Sequence, residues 1–308
     1  MPYNMIVLVK QVPDTKNITG EAMKEDGTVN RAALPAIFNP EDLNALEMAL
    51  QIKEQHGGHI WVITMGLPSA AEVLRQSLYR GADKTALLTD IKFARADTLA
   101  TSYTLNEAVR HIGDFDIVLC GRQAIDGDTA QVGPQTAEKL GVPQISYAEK
   151  ILKLEGKTIE VERSIEGGFE KVRSQLPILL TVTDSANEPR PAAAMRLMQY
   201  KKAVSAGELH KSIEAKLGVQ DDSYAGEGVE DEFEKALATL EAKGLVIPEW
   251  NAESIGADLE KCGGNGSPTL VKKIESVVLT ATEFRNVEPT DAGVNGLVQE
   301  LIADHTIG

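Results

Sequence analysis

The stretch Ile117-Val118-Leu119-Cys120-Gly121-Arg122-Gln123-Ala124-Ile125-Asp126-Gly127-Asp128-Thr129-Ala130-Gln131-Val132-Gly133-Pro134 decides how this chain is read. Its opening residues form an unalternated apolar run, the pattern of a strand covered on both faces. A loop carrying Gly121, Gly127 and Gly133 follows, and a helical pattern then runs over residues 135–140. Between the carboxyl end of a parallel strand and a helix, such a loop aims free backbone N–H groups above the sheet. A nucleotide phosphate is the usual occupant of that place. The loop fits neither GxGxxG nor GxxxxGK(S/T), so no standard nucleotide motif explains it.

Working outward, residues 5–9 (MIVLV), 61–65 and 86–88 repeat the strand pattern. Helical patterns lie between them. Asn39 is placed to cap a helix with Pro40 at its first position, which puts Leu43, Leu46 and Leu50 on one face. Residues 68–79 and 96–112 read as two more helices, the second capped by Asp97. The alternation predicts an α/β fold: a doubly wound parallel sheet, Rossmann-like, with appended β-hairpins and an extended C-terminal arm. Right-handed crossovers would gather the strand-end loops on one rim.

The texture changes after residue 140. Residues 151–154, 158–162, 169–174 and 178–182 are short β-type runs separated by Glu155-Gly156 and Gly167-Gly168, as in hairpins. Residues 187–194 are rich in proline and alanine, and 195–202 are basic and apolar, which reads as an exposed loop or arm. Two helical segments, 206–217 and 229–243, flank an acidic stretch over 221–234. The tail holds a glycine-rich turn at 262–266, a β-type run at 274–280 and a last helix at 292–303. The expected organisation is a nucleotide-binding α/β domain over 1–200, a solvent-exposed acidic helical insertion over 204–248, and an arm over 249–308 that packs on a neighbour.

The net charge of −15 argues against a broad positive field for nucleic acid. No apolar run approaches the roughly 20 residues of a membrane span, and the N-terminus lacks a signal-peptide pattern, so a cytoplasmic location is expected. Cys120 and Cys262 offer no metal spacing and no disulfide framework, and Cys120 reads as a small buried hydrophobe.

Four loops should converge on the rim: residues 10–15, 38–42, 64–66 and the stretch quoted first. In that stretch, phosphate contacts are expected from backbone N–H groups over 129–133, the hydroxyls of Thr129 and Thr136, and the helix dipole. Asp126 and Asp128 would cap the helix, bind ribose hydroxyls or fix the loop. Arg122 would pair a phosphate or one of those aspartates. The five histidines are scattered and neither GxSxG nor HExxH occurs, so no catalytic residue and no metal site is assigned. A nucleotide cofactor without positioned acid–base groups suits electron transfer, in which the cofactor carries the chemistry.

At this point the sequence resembles the β subunit of electron transfer flavoprotein. The matching pieces are VLVKQVPDT (7–15), FNPEDLNALEMAL (38–50), RGADKTALL (80–88), GRQAIDGDTAQVGPQTAEKLGVP (121–143), Leu176-Pro177, ANEPRPAAAM (186–195) and a section from 255 to 305. The resemblance implies a heterodimer with a larger α subunit that holds one FAD, while the β subunit binds a second adenine nucleotide. That nucleotide is a structural AMP in conventional members and a second FAD in electron-bifurcating ones. In the latter, NADH is the electron donor, and its two electrons part to acceptors of high and low potential, ferredoxin among them. The 10–15 loop and Asn39-Pro40-Glu41-Asp42 look like the bifurcating type. Carried over by position, cofactor contacts would fall on Leu8, Val9, Lys10, Asn39, Pro40, Glu41, Asp42, Met65, Asp126, Gly127, Asp128, Thr129, Ala130, Gln131, Val132, Gly133, Pro134, Gln135, Thr136 and Ala137. Arg190, Ala194 and Met195 match the segment that docks a partner flavin dehydrogenase or acyl-CoA dehydrogenase-like protein. The competing expectations are a conventional subunit with AMP and a free-standing adenine-nucleotide-hydrolysing enzyme.

Overall fold

The computed structural model describes residues 1–14, 34–217, 227–269 and 286–303. Thr15, residues 221–226 of the acidic stretch, the β-type run at 274–280 and His305 lie outside them. Strand β1 (Tyr3–Leu8) is central, and only Asn4 in it reaches solvent. A short ribbon follows, β2 (Gln11–Pro13) antiparallel to β3 (Ala36–Phe38), so the first rim loop is partly strand. Helix α1 (Pro40–His56) then crosses to β4 (Gly58–Met65), α2 (Ala71–Arg80) to β5 (Lys84–Leu88), and α3 (Thr98–Ile112) to β6 (Ile117–Gly121). Helix α4 (Val132–Leu140) leads to β7 (Gln144–Glu155), β8 (Thr158–Ile165), β9 (Gly168–Gln175) and β10 (Ile178–Val182). The remaining elements are α5 (Ala194–Tyr200), β11 (Val204–Ser205), α6 (Ala206–Leu217), α7 (Glu227–Glu241), β12 (Val246–Ile247), β13 (Glu249–Trp250) and α8 (Asp291–Ala303).

Among the described residues, nine strands form one sheet in the order β13-β5-β4-β1-β6-β10-β7-β8-β9. The pairings from β13 to β7 are parallel, and β7-β8-β9 are antiparallel. Alternate residues of β1 enter two cores. Met5 and Val7 face α1 and α2, whereas Ile6 and Leu8 face α3 and α4. Both faces being covered is why these strands read as continuous apolar runs. From β1 the chain moves outward through β4 and β5, then returns to place β6 on the other side of β1. The strand order therefore reverses between β1 and β6, and a crevice opens at their carboxyl ends, where ligands of open α/β sheets bind.

The hairpins β7–β8 and β8–β9 are present, but residues 178–182 form an interior parallel strand, β10, between β6 and β7 rather than part of a hairpin, and β7 carries a turn that sequence did not reveal. Tyr147 has φ 58°, its N–H donates to Thr181 Oγ1 at 3.1 Å, and the β10–β7 register shifts there. β7 bends at this point, so that the β7–β8 turn at Gly156 accepts a bond from the Tyr3 hydroxyl (3.1 Å) at the start of β1.

Two expected boundaries move. Residues 249–269 are not part of a free arm. β13 adds a strand beside β5, and Ala252, Ile255 and Cys262 are buried in the core on the α3 face. Asp97 fastens the end of this segment: its carboxylate accepts from Leu99 N and Ala100 N at the start of α3 and from the Thr269 hydroxyl at 2.7 Å. Among the described residues, α8 has no buried residue, and its Val294, Val298 and Ile302 are exposed. The 204–248 insertion is likewise more than a solvated decoration. Arg75 of α2 holds Glu208 of α6 by two bonds of 2.7 and 3.0 Å, Gly207 N donates to Glu249, and Ile213 and Val229 are buried.

Candidate functional site

The first turn of α1 builds the floor of the crevice. Asn39 occupies the N-cap position, yet its side chain makes no capping bond. Instead its Nδ2 donates to Gln123 O (2.9 Å) and its Oδ1 accepts from Ile125 N (3.1 Å). Glu41 Oε2 accepts from Gln123 N (2.8 Å), and Oε1 pairs with Arg122 Nη2 at 2.7 Å. Asp42 accepts from Gly121 N through Oδ1 and from Lys10 N through Oδ2, both at 2.8 Å. All three side chains are buried. The acidic segment is therefore a clamp that fixes the backbone of residues 121–125 and ties it to the end of β1. Its polar atoms are engaged with protein groups rather than aimed at the rim. Burial pushes the Asp42 carboxyl up to about 7, with the Glu41 charge adding to the rise and the bonds from Gly121, Lys10 and Asn39 opposing it.

Gly121 belongs to this clamp. A Cβ there would lie 2.6 Å from Asp42 Oδ1 and 2.8 Å from the Glu41 carbonyl carbon. Gly133 has a packing task that its expected place in the phosphate cradle did not suggest. A Cβ there would meet Thr181 Cγ2 at 2.8 Å and Cys120 Sγ at 2.9 Å, so this glycine lets α4 lie close against β6 and β10. Gly127 faces open space. The left-handed positions of the loop are Asp128 (φ 48°) and Ala130 (φ 52°), a conformation that asparagine and aspartate adopt more readily than alanine.

Above the floor, Lys10 Nζ reaches across the crevice to both oxygens of Asp126, at 2.8 and 2.7 Å. Gln123 Nε2 donates to Asp128 (3.1 Å). Thr129 is exposed and Met65 partly buried at the rim. Helix α4 starts at Val132, earlier than its periodicity suggests, and Gln131 at its N-cap gives no capping bond. Pro134 falls in the first turn, where its missing N–H costs nothing. The N–H groups opening α4 lack a side-chain cap and carry the helix dipole's positive end, an arrangement suited to an anion.

Several expected residues sit below the rim. The Thr136 side chain is buried and its hydroxyl donates to Val132 O at 2.7 Å, so it serves the helix and not a phosphate. Ala137 and Leu8 lie in the core, and Val9 is buried with its N–H bonded to Ile63 O. Arg122 pairs with Glu41 rather than with Asp126 or Asp128, and its guanidinium stacks 5.6 Å from the Tyr147 ring centroid. Cys120 is buried, and that burial pushes its thiol well above the usual range. Sequence reasoning missed the first turn of α3. Thr98 donates to Gln131 Oε1 (2.9 Å) and Ser102 to Gln135 Oε1 (3.2 Å), joining α3 to the start of α4. The signal was available: a helix capped by Asp97 after β5 must begin on the same rim.

The docking residues separate. Arg190 is drawn onto α1, where its Nε and Nη2 bond Glu47 at 2.7 and 2.9 Å and its Nη1 pairs with Glu54. Those bonds raise the Arg190 pKa and lower that of Glu54. Asn44 also holds Asn187 O at 2.7 Å, and Ala193 N donates to Tyr79 O. This segment is thus stapled to α1 and α2 rather than loose. Helix α5 begins at Ala194, and Met195 is 88% exposed with Met198 at 63%. Among the described residues, no helix is long and apolar enough to cross a membrane, and no group of three or more His, Cys, Asp or Glu is placed to hold a metal.

These features can be set beside known proteins. The profile of the electron transfer flavoprotein domain matches residues 26–208. The chain is 39% identical to the electron transfer flavoprotein subunit beta of Clostridium acetobutylicum, over 99% of this chain and 100% of that one. It is 38% identical to protein FixA of Azorhizobium caulinodans, over 94% and 92% of the two chains. A third relative, the caffeyl-CoA reductase-Etf complex subunit CarD of Acetobacterium woodii, is 40% identical over 87% and 85%. With a profile over more than half its length and relatives matched almost end to end, this chain belongs to the electron transfer flavoprotein family, among its β subunits.

Proposed function

We propose that this β subunit binds FAD at the β1–β6 crevice and, with an α subunit and a partner dehydrogenase or reductase, passes on electrons from NADH in an electron-bifurcating complex. The observation that carries the reading is the clamped loop 121–131 set against an uncapped α4 N-terminus at the point where strand order reverses. Membership of the family supports an electron-transfer role, and the likeness to a subunit of a reductase-Etf complex favours a partner reductase.

The residues fit an adenine nucleotide. The free N–H groups at the start of α4 would hold the phosphates, and the Lys10–Asp126 bridge and Gln123–Asp128 pair would border the ribose. FAD, when bound, supplies the redox chemistry. The chain's contribution is to bind, orient and keep water from the crevice floor. Asn39, Glu41 and Asp42 hold the loop in register before the ligand arrives, so less ordering entropy is lost on binding. The α5 surface with Met195 and Met198 is the proposed docking face for the partner, with Arg190 acting as its anchor to α1.

The test is a nucleotide count. The heterodimer with its α subunit is purified, denatured, and its released nucleotides are separated and quantified. Two FAD per heterodimer is the expected result. One FAD plus one AMP would refute the bifurcating reading and leave a conventional subunit.

A further inference from the structure

Asp42 joins the backbones of both walls of the crevice at its floor. β1 and β6 pair as far as Leu8 and Cys120, and beyond those residues the Asp42 carboxylate spans them. One oxygen takes the Lys10 N–H and the other takes the Gly121 N–H, each at 2.8 Å. Lys10 is then linked onward, since its ammonium holds Asp126 in the nucleotide loop. Gly121 leaves no slack, because even a methyl group would collide with Asp42 Oδ1.

Both bonds are at full strength only to an ionised carboxylate. A neutral acid keeps one good acceptor oxygen and turns the other into a hydroxyl facing an N–H, which releases one strand end. We propose that Asp42 is a positioning residue whose ionisation sets the separation of the two rim loops, so that nucleotide binding is coupled to proton release. This rests on the nucleotide-binding reading of the crevice.

The surroundings put both forms within reach of neutral pH. Burial drives the carboxyl up to about 7. The charges nearby do not cancel that effect. Glu41, in the same turn, raises it further, and its own charge is taken up by Arg122 on the far side. The Lys10 ammonium is directed at Asp126 rather than at Asp42, and the Cys120 thiol beside the site is held neutral by burial. A ligand that needs the closed arrangement selects the ionised form and expels the proton.

The test uses the full chain and two probes whose charge is constant between pH 5.5 and 8.5, FAD and the 5′-methyl ester of AMP. Affinity is measured by titration calorimetry across that range, in pairs of buffers with different ionisation enthalpies. If only the ionised form binds, affinity at pH 6 should be about tenfold weaker than at pH 8, with release of up to one proton per ligand at low pH. Asp42→Asn should bind more weakly at pH 8 and show a flat profile. The buffer dependence of the unaltered protein needs no variant, so it stands even if Asp42→Asn folds poorly. Binding with neither pH dependence nor proton release overturns the inference while leaving the site intact. Failure of both probes to bind at every pH overturns the nucleotide reading beneath it.

Discussion

Replacing Gly133 with alanine puts the packing of the nucleotide loop to a quantitative test. The added Cβ would stand 2.8 Å from Thr181 Cγ2, 2.9 Å from Cys120 Sγ and 3.7 Å from Leu179 Cδ2. Carbon and sulfur neighbours settle at roughly 3.5–4.0 Å, so α4 must withdraw by several tenths of an ångström or more. All three neighbours are buried strand residues with little room to turn aside. Overpacking of this kind costs about 1–3 kcal/mol, offset by roughly 0.5–1 kcal/mol from alanine's better helix propensity, for a net loss of about 1–2 kcal/mol. The withdrawal also shifts the N–H groups that open α4, so nucleotide affinity should fall together with stability. Urea unfolding gives the first quantity and titration with FAD the second. Cys120→Ala removes one of the two tight contacts and should restore about half of the loss when combined with Gly133→Ala. If Gly133→Ala unfolds at the wild-type midpoint, or Cys120→Ala has the same effect in both backgrounds, the close packing of α4 on β6 is not what this glycine provides.

Arg190→Ala should cost about 2 kcal/mol in urea unfolding, because Glu47 is left buried with its charge uncompensated; adding Glu47→Gln should recover most of it. Lys10→Met removes a half-exposed ion pair and should change stability by less than about 1 kcal/mol, yet weaken nucleotide binding in a salt-dependent way, seen by titration at two ionic strengths. The raised Asp42 pKa makes that group's stability contribution greatest below its unfolded value of 3.8 and lost as pH rises through about 7. Relative to Asp42→Asn, the protein should therefore lose on the order of 4 kcal/mol between pH 4 and pH 8, measured as a pH series of unfolding free energies. Glu208→Gln should loosen α6 from α2 at a cost of about 1 kcal/mol, read as faster amide exchange in α6 with the sheet unchanged.

The α/β alternation was legible because strands buried on both faces leave long apolar runs, and residues 5–9, 61–65 and 115–120 carry them. The rim was legible for the same reason. What each rim residue does was not. Asn39 has the residue type and place of an N-cap, and Glu41 and Asp42 look like ordinary acids in a first helical turn. Their partners lie about eighty residues away in sequence, so no local pattern reveals that all three grip residues 121–125. The packing role of Gly133 was not legible either, because its neighbours come from two separate strands. β13 is two residues long, too short to show any period, which is why residues 249–269 read as a tail. The attachment of Arg190 to α1 was not legible because its acidic partners, Glu47 and Glu54, lie well over a hundred residues earlier in sequence.

Helix α1 has one further property, as a ruler. Its first turn grips the nucleotide loop, and Glu47 and Glu54 are gripped by Arg190, immediately ahead of the exposed methionines of α5. Asp42 and Glu54 are twelve residues apart, about 18 Å at the helical rise. If a partner seats on Met195 as proposed, a single rigid element gauges the span between the crevice and that partner. Electron tunnelling depends steeply on distance, so on that reading a span set by one helix would keep the transfer distance the same from one encounter to the next.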